Sequence, residues 1–72
     1  MSTGIKLLDV VALTEDLPLR KLRRGQVGTV VELLAPDAFE VEFTDNDGRA
    51  FASLALRTNQ LMVLHYQPLE AA

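Results

Sequence analysis

Ala38-Phe39-Glu40-Val41-Glu42-Phe43-Thr44, followed at once by Asp45-Asn46-Asp47-Gly48, is the stretch on which the fold turns. Phe39, Val41 and Phe43 alternate with Glu40 and Glu42, the period-two pattern of a strand with one buried and one wet face. Asn, Asp and Gly tolerate the positive φ of tight turns, so Asp45 to Gly48 reads as a hairpin turn. A hairpin needs a returning strand, and Arg49 to Leu56 is the candidate. Ala50, Ala52, Leu54, Ala55 and Leu56 are good helix formers, so a helix over Phe51 to Leu64 is the competing assignment. The closeness of the turn to a strong strand favours the strand.

Working outward, Gln26 to Leu34 is strongly β-favouring, with Gly28 marking a bulge, a bend or the close approach of another backbone. Ala35-Pro36-Asp37 is a turn. Val10 to Leu13 is a short β-branched run, broken before Pro18, which cannot donate to a ladder. Leu19 to Arg24 reads as a basic loop ended by Gly25. Downstream, Arg57 to Gln60 reads as one helical turn and Leu61 to Tyr66 as a last strand; Pro68 and the Ala-Ala ending form a tail. Five short antiparallel strands with one helical turn before the last describe an all-β domain, in the order of a small SH3-like barrel.

The chain's 72 residues make a single domain, 1–72, with an ordered core over about 5–67. With 49% hydrophobic residues it is too apolar for a disordered tail, and no apolar run reaches the ~18 residues of a membrane helix. The N-terminal stretch Met1-Ser2-Thr3-Gly4-Ile5-Lys6 lacks a signal-peptide pattern, so the expectation is a soluble, cytoplasmic protein without a membrane partner. The absence of cysteine removes disulfides, thiolate zinc sites and thiol catalysis. A net charge of −3 argues against a dedicated nucleic-acid binder. A domain this small has a thin stability margin, a first pointer to an oligomer or a binding module.

No constellation for catalysis stands out, and the expectation is a non-enzyme without cofactor or metal. His65 is the single histidine, too few ligands for a metal, and strand packing explains it. Ser53, His65 and Asp9 make a triad only on paper. Glu40 and Glu42 are a carboxylate pair that strand alternation already explains. Asp45-Asn46-Asp47-Gly48 fails as a calcium loop, because Phe43 and Leu54 fall where its first and last ligands belong. Gly25 and Gly28 lack any phosphate-loop context.

What remains is charge and apolar surplus. Arg20, Lys21, Arg23 and Arg24 are four of the chain's seven basic residues within five positions. They form an anion-seeking loop or a solvated one balanced by Glu15 and Asp16. In the last strand Leu61, Val63 and His65 should face one way and Met62, Leu64 and Tyr66 the other, and a small barrel buries one side. The expected contact surface is therefore Leu19, Arg20, Lys21, Arg23 and Arg24 with Met62, Leu64 and Tyr66, docking a protein partner or a second copy. RNA or phosphate binding by Arg20 to Arg24 is the alternative, although no stacking aromatics accompany the loop. An immunity or antitoxin-type inhibitor of a partner enzyme is a third.

Asp9-Val10-Val11-Ala12-Leu13, Arg24-Gly25-Gln26-Val27-Gly28-Thr29-Val30-Val31-Glu32, Phe39-Glu40-Val41-Glu42-Phe43 and Leu61-Met62-Val63-Leu64-His65-Tyr66 together resemble a family of short bacterial proteins, the domain of unknown function 4926, over Ile5 to Pro68. The resemblance implies a fold but no activity. More distantly, Gly25, Gly28 and Val30 are similar to a glycine-containing motif of ribosome- and transcription-associated SH3-like domains. They are similar too to SH3-like accessory subunits of electron-transport complexes, such as the photosystem I stromal subunit and the ferredoxin–thioredoxin reductase variable chain. Those subunits imply a docking piece without a redox centre.

Overall fold

A computed structural model describes residues 4–69. Five strands, β1 (Val10–Leu13), β2 (Val27–Ala35), β3 (Ala38–Thr44), β4 (Ala50–Arg57) and β5 (Leu61–Val63), alternate with two single 3-10 turns, Pro18–Arg20 and Thr58–Gln60. All pairings are antiparallel, and the strands form one sheet in the order β4-β3-β2-β1-β5. The domain is all-β with a helical turn before the last strand. No helix is long and apolar enough to cross a membrane among the described residues.

The sheet is open, because among the described residues no ladder joins β4 to β5. It nevertheless has a single core. Val11, Leu13, Val30, Phe39, Val41, Phe43, Leu54, Leu56 and Leu61 come from all five strands and pack in one cluster with Leu22. A flat sheet without a second layer cannot bury residues of both end strands together, so this one curls over its own face. Extra residues help it bend. Val31 and Leu34 on β2, and Phe51 on β4, interrupt the registers with β3, and such bulges raise the local twist. Neither Pro36 nor Asp37 has the positive φ of a primed hairpin turn, and Leu34 lies beside this turn, where an unprimed type would splay the strands.

Ala50–Arg57 is strand, not helix. β3 offers it cross-strand partners from Ala38 to Thr44, and that ladder outweighs the helix propensity of its alanines and leucines. The turn before it is built as its composition suggests. Asp45 Oδ1 accepts the N–H groups of Asp47 and Arg49, and Gly48 sits at φ 79°. The last strand is shorter than expected, ending at Val63 and not at Tyr66. Among the described residues its only neighbour is β1, whose last contribution is the Val10 carbonyl that accepts from Leu64 N–H. Beyond it the chain turns away at Asp9, whose N–H goes to Lys6, so His65 and Tyr66 have no strand to pair with.

Among the described residues one side-chain polar atom is buried without a hydrogen-bond partner, Thr58 Oγ1. An unsatisfied buried hydroxyl costs about 1–3 kcal/mol. Thr58→Val keeps the shape and removes the orphan, so it should stabilise the domain by about 1 kcal/mol and raise the melting temperature by about 4–8 °C. A thermal melt checks this.

Candidate interaction surface

The loop between β1 and β2 is tied down at its base and charged at its tip. Leu17 and Leu22 exchange backbone hydrogen bonds, N to O at 2.9 and 3.2 Å, and Leu22 is buried in the core. This pins the chain on both sides of the tip. Between them Pro18 starts a 3-10 turn and Lys21 closes it in the left-handed region at φ 58°. Asp16 Oδ1 accepts from Arg24 N–H at 2.8 Å, and Gln26 Oε1 accepts from Arg23 N–H at 3.1 Å. The tip presents Leu19, 98% exposed, beside Arg20 and Lys21, with Arg23 and Arg24 on the return. The ion pairs among the described residues are Lys6–Asp9 and Arg57–Asp37, so all four loop cations lack an ionic partner there.

The loop runs straight into β2. Gly25 N–H donates to the Leu13 carbonyl, and Leu13 N–H to Gln26. Because Val11 and Leu13 point into the core, Ala12 points to the outer face, where it pairs with Val27 on one side and Met62 on the other. Cross-strand partners share a face. Val27, Ala12 and Met62 therefore form an apolar row across three strands; Val27 and Met62 are about half exposed, and Ala12 is buried between them. Further along the outer face the chemistry changes: Glu32 lies opposite Glu40, and Glu42 opposite Thr29.

The expected contact residues do not all meet. Leu19 to Arg24 lie beyond the Leu13 end of β1, whereas Leu64 is held at its Val10 end. Tyr66, 82% exposed, lines a shallow cleft of about 650 Å³ there with Leu8, Asp9, Val10 and Leu69. Met62 lies between, on the outer row. Val27 is the contributor that the sequence reading passed over. Its signal was available, since Gly28 and Val30 facing the core force Val27 and Thr29 outward. Ser53, His65 and Asp9 are not assembled either. Ser53 is on β4, donating to Glu40 Oε2 at 2.7 Å, at the opposite end of the strand order from Asp9 and His65. Among the described residues no three potential metal ligands are grouped.

Fold and surface together define a small, open-sheet β domain with a preorganised basic loop and an apolar row beside it. The chain belongs to the family described as domain of unknown function (DUF4926), whose profile matches residues 7–63. That span covers all five strands and the basic loop. Comparison with curated proteins and with solved structures gave no match.

Proposed function

We propose that this domain is a non-catalytic docking module that binds a protein partner through the Val27–Ala12–Met62 row and the Leu19–Arg24 loop. The observation that carries the reading is the apolar row lying beside four cations without ionic partners. Fully burying a Val or Met side chain is worth about 1.5–3 kcal/mol, so covering the exposed halves of Val27 and Met62 supplies about 2 kcal/mol. Leu19 adds an anchor on a loop whose shape is already fixed, which lowers the ordering cost of association. The arginines and Lys21 steer an acidic partner face and set its orientation. We also propose that the domain works in the cytoplasm.

Affinity capture of the tagged domain from its native lysate, with and without nuclease, tests the reading. One stoichiometric, nuclease-resistant protein should be recovered by wild type and lost with Met62→Lys. A second reading, binding of RNA or another polyphosphate, draws on the same four cations. It predicts material that nuclease removes, that Arg23→Ala/Arg24→Ala abolishes, and that ignores Met62.

A further inference from the structure

The two ends of the sheet are protected very differently. β5 offers a free edge of only three residues, too short to template another strand. β4 runs for eight residues, and from Ala50 to Leu56 it carries no charge, proline or glycine. Natural edges are usually blunted by such residues or by brevity, and an edge without them pairs with another chain.

The ladder phase shows which backbone groups are free. Thr58 N–H donates to the Asp37 carbonyl across the Arg57–Ala38 pair, the pattern that flanks a non-hydrogen-bonded pair. Leu56, Leu54 and Ala52 therefore exchange their hydrogen bonds with β3, whereas Arg57, Ala55 and Ser53 turn theirs to the open edge. Arg57 N–H fits this phase, because Gln60 Oε1 takes it at 2.9 Å. Among the described residues no strand faces the N–H and C=O groups of Ser53 and Ala55.

We propose that β4 pairs with β4 of a second copy, antiparallel and centred on Leu54, to make a two-fold dimer with one continuous sheet. A two-fold contact places each patch against itself. The basic loop and the Glu32/Glu40/Glu42 region would repel their own copies; β4 is uncharged where it would meet itself. Centring on Leu54 sets Ser53 opposite Ala55 of the second copy twice over, so each pair exchanges both outward hydrogen bonds. It also keeps like faces together: Ala52, Leu54 and Leu56 extend one core side, and Phe51, half exposed, falls near Arg57 of the other copy. This contact uses a different face from the docking surface and does not depend on it.

Sedimentation velocity from micromolar to millimolar concentration, with circular dichroism for folding, tests the proposal. Ala55→Pro removes an outward N–H and no bond to β3, and proline is accepted on edge strands where the N–H faces solvent. Wild type should reach twice the chain mass, and Ala55→Pro should stay a folded monomer. Should Ala55→Pro unfold, Ser53→Lys, which sets two like charges on the junction, must weaken the dimer at least tenfold, whereas Met62→Lys must leave it intact. A wild type that is monomeric throughout, or a dimer lost with Met62→Lys and kept with Ser53→Lys, would overturn it.

Discussion

Gly28→Ala is expected to destabilise the domain by about 3 kcal/mol, at the upper end of what overpacking usually costs, and Gly28→Val to prevent folding. At an ordinary strand position the sign would be the reverse, because glycine inside a strand is unfavourable by about 0.5–1 kcal/mol relative to alanine. Here an added Cβ would lie 2.7 Å from Val41 Cγ1, 2.9 Å from Phe43 Cδ1 and 2.9 Å from the Glu42 carbonyl oxygen. Two of those atoms belong to core side chains packed in place, and the third is backbone of the paired strand. Gly28 is flanked by Val11 and Phe43 in its two ladders, so the crowding sits where β1, β2 and β3 curl together. Chemical denaturation gives the measurement. Combining Gly28→Ala with Val41→Ala should cost less than the sum of the two, since the nearest clash is relieved while the carbonyl contact stays. Strict additivity would show that the crowding does not set the cost.

Phe43→Ala carries the second large effect. Phe43 is fully buried and among the largest side chains of the core, and truncating such a residue costs about 3–5 kcal/mol. Native stability of about 0.05–0.15 kcal/mol per residue gives a chain of 72 residues about 4–11 kcal/mol in total. The variant should therefore lose a large share of its stability and melt at least about 12 °C below wild type. Phe43→Leu, which keeps most of the volume, should remain folded. A Phe43→Ala variant melting within a few degrees of wild type would mean that the five strands do not share one core.

The alternation of Phe39, Val41 and Phe43 and the Asp45–Gly48 turn made the central hairpin readable, because both signals are local. β4 was ambiguous for a physical reason. Its alanines and leucines prefer helix in isolation, and only the ladder offered by β3 reverses that preference. The end of β5 was overrun for a related reason: Leu64 to Tyr66 look like strand, but β1 supplies no partner past Val10. Leu22 reads as one more leucine of a basic loop until its bridge to Leu17 turns it into the core.

The candidate surface was legible in part. The four cations stand together in sequence, and Met62 falls on the outward phase of its strand. Whether the cations were balanced by Glu15 and Asp16 was not legible. In the structure Asp16 accepts a backbone N–H and Glu15 accepts from Gln60 Nε2 at 3.3 Å. Tyr66 was grouped with the loop by alternation alone, and β1 holds the two apart.

The most direct test of the docking reading is the salt dependence of binding to the captured partner, measured for wild type and Met62→Lys. Docking through the apolar row predicts that Met62→Lys costs about thirtyfold, the loss typical of a buried hot spot, while raising salt fourfold from about 50 mM weakens wild type by less than tenfold. Four contacts to single-stranded RNA phosphates would instead give a slope near −2.8 on logarithmic axes, a loss of about fiftyfold over the same range. A loss of that size, with Met62→Lys binding as wild type does, would contradict the account.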